Sequence, residues 1–96
     1  MYVAHDGVRA LRIAAERRPD IVLTDLYLPV MDGCELIRRL RDGGIDTPVI
    51  LMSGSAEGEV QAFKHRAAGF LAKPFLARSA VEVVQRVLAS DAAQRP

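Results

Sequence analysis

Two apolar runs without polar alternation, Ile21-Val22-Leu23 and Val49-Ile50-Leu51-Met52, stand out in a chain whose other hydrophobic positions recur at helical spacing. Runs of this length read as strands buried on both faces of a parallel sheet. Pro19-Asp20 and Thr47-Pro48 punctuate their starts, and polar residues follow at once, which favours strands over buried helix segments. Elsewhere the period is helical. Val8, Leu11, Ala14 and Ala15 share a face behind Asp6-Gly7. Asp32 is placed to cap a second helix, with Glu35 three residues on as in a capping box, Leu36, Ile37 and Leu40 as the apolar face, and Gly43-Gly44 as the stop. Val60, Phe63 and Ala67 predict a third helix; Val81, Val84 and Leu88, with Val83 and Val87 beside them, predict a fourth. With short strands over 2–4 and 69–72, the predicted order is strand 2–4, helix 7–18, strand 20–24, helix 33–42, strand 48–52, helix 58–67, strand 69–72, helix 77–89. This alternation implies an α/β fold with a parallel sheet and right-handed crossovers.

Length and composition narrow the class. The 96 residues carry 13 Lys and Arg against 12 Asp and Glu, both signs interspersed, which indicates one small domain without an acidic or basic tail. A domain of this size buries only about 60–65% of its unfolded surface, so the loss of one central element threatens it. The lone Cys34 has no disulfide partner, and His5 and His65 are too far apart for zinc spacing, so the chain reads as reduced and cytoplasmic. No apolar run approaches the roughly 18–20 residues of a membrane span. Arg9, Arg12, Arg17 and Arg18 cluster around the first helix, but Glu16 and Asp20 interrupt them and no aromatic platform accompanies them, so a solvated face is expected rather than nucleic-acid binding. Ser90 to Pro96 is polar enough to form a flexible tail.

In open α/β sheets ligands gather at the carboxyl edge of the strands. Three polar residues fall there: Asp25 after Ile21 to Thr24, Ser53 after Val49 to Met52, and Lys73 after Phe70 to Ala72. Singly, Asp25 is a loop cap, Ser53 a turn residue and Lys73 a solvated lysine as readily as anything else. Together, a carboxylate, a hydroxyl and an ammonium suit phosphoryl transfer: the carboxylate attacks phosphorus while the other two neutralise and hydrogen-bond its oxygens.

The stretches Pro19-Asp-Ile-Val-Leu-Thr-Asp-Leu-Tyr-Leu-Pro-Val-Met-Asp-Gly33, Thr47-Pro-Val-Ile-Leu-Met-Ser53 and Phe70-Leu-Ala-Lys-Pro-Phe75 resemble the receiver domain of two-component response regulators, from about Tyr2 to Ala89. The resemblance implies a flavodoxin-like, three-layer α/β/α fold over residues 2–89, N-terminally truncated, with 90–96 as the tail. It implies that Asp25 accepts a phosphoryl group from a histidine kinase or phosphotransfer protein. Ser53 would be the switch hydroxyl that follows the phosphoryl group, and Lys73 the lysine that pairs with it. Phe70 would be the aromatic switch position, Tyr27 would offer a backbone carbonyl to Mg²⁺, and Lys73-Pro74 would match the family's cis peptide.

The departures matter as much. A complete receiver opens with a strand ending in two adjacent acids, then a helix, whereas this chain begins after them. That acidic pair holds Mg²⁺ together with the acceptor, and no substitute pair is visible, so slow or absent phosphorylation is expected. In the 2-1-3-4-5 strand order of the family, the missing strand belongs between the first two present, leaving a gap. The edge at Asp20 to Thr24 then recruits Tyr2 to Ala4 directly, pairs with another chain in a strand-exchanged homodimer, or stays aggregation-prone. A rival reading is a phosphorylation-independent interaction module. A second, a phosphatase resembling haloacid dehalogenases, needs an acid two residues after the nucleophile, where this chain has Tyr27. The chain is therefore read as a signalling module rather than an enzyme.

Overall fold

The structure, a computed structural model, describes residues 1–94. Strand and helix alternate throughout: β1 (Tyr2–Ala4), α1 (Gly7–Arg17), β2 (Val22–Asp25), α2 (Gly33–Asp42), β3 (Val49–Ser53), α3 (Ala56–Lys64), β4 (Gly69–Ala72) and α4 (Ala77–Gln94). All eight expected elements are present, with shifted ends. The strands β2 and β3 each take in the polar residue expected just beyond them, so Asp25 and Ser53 are terminal strand residues. Helix α4 runs to Gln94 rather than 89, because Ser90-Asp91-Ala92-Ala93 contains no breaker and alanine is the best helix former. The span read as a tail is thus helical through Gln94, and its last two residues lie outside the described residues.

The sheet is parallel throughout, in the order β1-β2-β3-β4. The expected gap is closed: Tyr2, Val3 and Ala4 pair directly with Val22, Leu23 and Thr24, and the Tyr2 amide donates to the Ile21 carbonyl at 3.0 Å. Of the three alternatives for that edge, the chain satisfies it internally, which leaves fewer unpaired backbone groups. With every crossover joining neighbouring strands in the same hand, α1, α2 and α3 fall on one face. Val22, Val49 and Leu51 meet Ala10 and Ala14 of α1, Leu36, Ile37 and Leu40 of α2, and Ala62 of α3 in one core cluster. The alternate strand positions Leu23, Ile50, Met52 and Leu71 point the other way, joining Ile21 and Val87 in a second core with Val83 and Val84 of α4 against it.

Two helices bury small residues deepest and leave part of the expected face exposed, although on α1 the expected Ala14 is fully buried and Leu11 packs against the core. On α1 the buried residues are Gly7, Ala10 and Ala14, while Val8 is 54% exposed. On α3 they are Gly58 and Ala62, while Val60 is 53% and Phe63 87% exposed. Small residues let these helices lie close to the sheet and to their neighbours; a Cβ on Gly7 would stand 2.9 Å from that of Met31. Helix α2 follows its pattern, with Leu36, Ile37 and Leu40 buried.

Caps account for the helix starts. The Asp6 carboxylate accepts from the amides of Val8 and Arg9 at 2.9 and 3.1 Å, and that of Asp32 accepts from the Glu35 amide at 2.8 Å. Glu35 does not return the bond as a capping box would. It pairs instead with Arg38 and Arg39, whose hydrogen bonds hold its carboxyl below the usual range. In the loop between β2 and α2, Val30 adopts φ 70° with its side chain 96% exposed. A β-branched residue is strained there and gains nothing from burial. Val30→Asn is therefore expected to raise unfolding stability by about 1 kcal/mol, with unchanged m-value in urea titration.

Candidate functional site

The parallel register brings the three strand-end residues to one edge. Asp25 ends β2 opposite Met52, Ser53 ends β3 opposite Ala72, and Lys73 follows β4 directly. Backbone bonds extend the ladder past the strands: the Leu26 amide donates to the Met52 carbonyl at 2.8 Å, and the Lys73 amide to the Ser53 carbonyl at 2.9 Å. The three positions are thus held by sheet geometry, the most rigid support available to such a site. They line one pocket of about 280 Å³ together with Tyr27, Met52, Gly54 and Ser55.

Within it, the Lys73 ammonium donates to Asp25 Oδ1 in an ion pair that spans the sheet edge. Both side chains remain part-exposed, so a reactant can reach the carboxylate. Thr24, fully buried beneath, donates from Oγ1 to the Asp25 carbonyl at 3.0 Å. The loop after Asp25 is pinned from the other side, where the Gly33 amide donates to the Leu26 carbonyl at 2.6 Å. A Cβ on Gly33 would lie 2.6 Å from Leu51 Cδ2 and 2.9 Å from the Asp25 carbonyl oxygen, so only glycine fits. The buried Ser53 hydroxyl faces the start of α3: it accepts from the Ser55 amide at 3.1 Å and lies 3.2 Å from the Ser55 hydroxyl.

Of the remaining expected positions, Tyr27 lines the pocket with an exposed side chain. The Lys73–Pro74 peptide is cis. Phe70 is half-buried and packed against the larger core, not open at the surface. Sequence reasoning missed Gly58. A Cβ there would stand 2.4 Å from Ser53 Cβ, 2.6 Å from its Oγ and 3.2 Å from Phe70 Cε1, so this glycine is the contact through which α3 meets both residues. An isolated glycine inside a helical pattern was the available signal, since it costs about 1 kcal/mol of helix propensity unless packing requires it.

The donor set does not by itself fit Mg²⁺. That ion demands roughly six oxygens in near-octahedral array. Asp25 is the one carboxylate lining the pocket and already engages Lys73. Among the described residues no group of three or more acidic, histidine or cysteine side chains is placed to hold a metal.

Comparison with known proteins bears on the assembly of these parts. The family model described as response regulator receiver domain matches residues 1–85. The chain is 39% identical over 75 residues to the response regulator MprA of Mycobacterium ulcerans (strain Agy99), which is 76% of this chain and 32% of that protein. It is 38% identical over 89 residues to the regulatory protein AtoC of Escherichia coli (strain K12), covering 91% of this chain and 19% of AtoC. It thus spans a third or less of either relative. Among solved structures, the Vibrio cholerae chemotaxis protein CheY4 superposes with a TM-score of 0.76 at 32% identity, over 88% of this chain and 73% of that one. The architecture is accordingly flavodoxin-like. No helix among the described residues is long and apolar enough to cross a membrane.

Proposed function

Since this chain belongs to the response regulator receiver family, we propose that Asp25 is the acceptor of a phosphoryl group in two-component signalling, supplied by a histidine kinase or phosphotransfer protein. The observation that carries the proposal is the Asp25–Lys73 ion pair at the sheet edge, with the Ser53 hydroxyl in the same pocket.

The chemistry follows from those groups. A carboxylate oxygen of Asp25 attacks phosphorus in line; the new P–O bond forms an acyl phosphate as the P–N bond to the donor imidazole breaks, and the imidazole departs. Lys73 stands where it meets the charge on the equatorial oxygens without moving across the pocket. Ser53 supplies the coupling. To reach a phosphoryl oxygen its hydroxyl leaves the Ser55 amide, and Ser55 is the N-cap residue of α3 with no side-chain cap bond of its own. The first turn of α3 then loses its link to the sheet edge, and Gly58 transmits the displacement to Phe70.

The test is intact-mass spectrometry of folded protein after incubation with a small acyl phosphate. A phosphoryl adduct that forms slowly, for want of the acidic pair that holds Mg²⁺ in the family, is expected on the wild-type chain and none on Asp25→Asn, with Lys73→Gln slowed by about a further 10²–10³-fold. No adduct on folded wild type would overturn the acceptor reading. It would favour a second reading, a binding module independent of phosphorylation, which the shortage of metal-binding oxygens around Asp25 supports.

A further inference from the structure

We propose that the groove between α2 and the end of α3 is a binding site for a small polyanion carrying a chain of phosphate groups, separate from the acceptor pocket. The groove encloses about 450 Å³, within the range of small-molecule sites. Its floor is apolar and buried, formed by Cys34 and Ile37. Burial, with Asp32 nearby, pushes the Cys34 thiol up, so the floor is uncharged. Its walls are cationic: Arg38 and Arg41 from α2, Lys64 and Arg66 from α3 and the turn beyond it. No carboxylate lines it.

Two of these cations are held in place. Arg38 is anchored by Glu35 at 2.5 Å, and Arg41 donates from Nη1 to the carbonyls of Ile45 and Thr47 at 2.8 and 3.0 Å. Each retains further N–H donors, fixed before any ligand arrives. The other two, Lys64 and Arg66, line the same groove from the end of α3 and the turn beyond it. Cations near helix C-termini are favoured by the helix dipole, which accounts for Lys64 and Arg41 on electrostatic grounds alone. It does not account for Arg66. This residue sits at φ 59°, where the Ala67 amide turns back to the Ala62 carbonyl at 2.9 Å, a position that glycine fills without strain. Strain alone does not make a site, because Arg18 closes α1 in the same conformation. Arg66 differs in that it lines a groove already lined by three other cations. Strained residues concentrate at ligand clamps.

The test is calorimetric titration of the full chain with sodium tripolyphosphate and, separately, with ATP. Saturable one-to-one binding is expected, weakened at least tenfold by Arg66→Gly and by Lys64→Gln. Because glycine relieves the left-handed strain, Arg66→Gly is expected to melt above wild type without ligand, so its lost affinity is not lost folding. Equal affinity for the two ligands assigns the site to the phosphate chain; tighter binding of ATP extends it to the nucleoside. Absence of saturable binding, or variants that bind as wild type does, would overturn the proposal. So would loss of binding in Lys73→Gln, which would place the anion in the acceptor pocket.

Discussion

Gly58→Ala is expected to destabilise the protein by about 2 kcal/mol, although alanine is the better helix former. The two effects oppose one another and their sizes decide the sign. Alanine gains about 1 kcal/mol in helix propensity. Its Cβ would meet Ser53 Cβ at 2.4 Å and Oγ at 2.6 Å, with Phe70 at 3.2 Å beyond, and neither Ser53 nor its strand has room to withdraw. Overpacking costs typically about 1–3 kcal/mol and occasionally more, and contacts this far under 3.0 Å put the cost at the top of that range, so the net loss is about 2 kcal/mol. Against a total of roughly 5–15 kcal/mol for a domain of this length, the loss is substantial. Gly54→Ala is the control, because a Cβ there meets nothing closer than Lys73 Cβ at 4.0 Å. Urea denaturation should separate the two variants clearly. Equal midpoints would show that α3 does not press on the sheet edge through residue 58.

Leu51→Ala is expected to be the most damaging single truncation in the core, at about 3–4 kcal/mol. Leu51 is fully buried at the centre of β3, a strand paired on both sides, and its Cδ2 fills the space left by Gly33 beneath the acceptor loop. The cavity would therefore open next to the support of Asp25. For a domain of this length the melting temperature should fall by roughly 15–25 °C, which calorimetry would register. The informative comparison is Phe63→Ala. That ring is exposed, and its removal should change stability by no more than about 0.5 kcal/mol. If Phe63→Ala were as costly as Leu51→Ala, the burial of α3 described above would be wrong.

The same pair of residues marks how far the sequence could be read. Continuous apolar runs identify β2 and β3 because a strand buried on both faces has no polar alternation to confuse, and Leu51 belongs to such a run. The strand ends follow, and with them Asp25, Ser53 and Lys73, because polar residues begin where the sheet stops. Helix α2 was legible for the same reason: its buried face carries its largest apolar residues. On α1 that equation holds only in part, through Leu11, and on α3 it fails. Gly7, Ala10, Gly58 and Ala62 are chosen for how close they allow a helix to come, and hydrophobic periodicity gives small residues little weight. Phe63 and Val60, which dominate the pattern of α3, lie outside the buried core, Phe63 almost wholly exposed and Val60 about half. The pairing of β1 was beyond local reasoning for a different cause: whether Tyr2 to Ala4 reaches β2 depends on which neighbour is available, and three residues carry no register signal of their own.

That pairing also sets the order in which the molecule can be assembled. Because each strand lies beside its successor in the chain, every hydrogen-bonded pair is closed by a single intervening helix, and none waits for a later strand to be inserted between two that have already met. Such a sheet has a low contact order for a parallel architecture, and loop closure penalises it least. A nucleus formed by β2 and β3 around α2 can grow outward in both directions, with β1 and β4 joining independently at opposite edges, so the route from unfolded chain to folded sheet is short and has no step that requires an established pair to open.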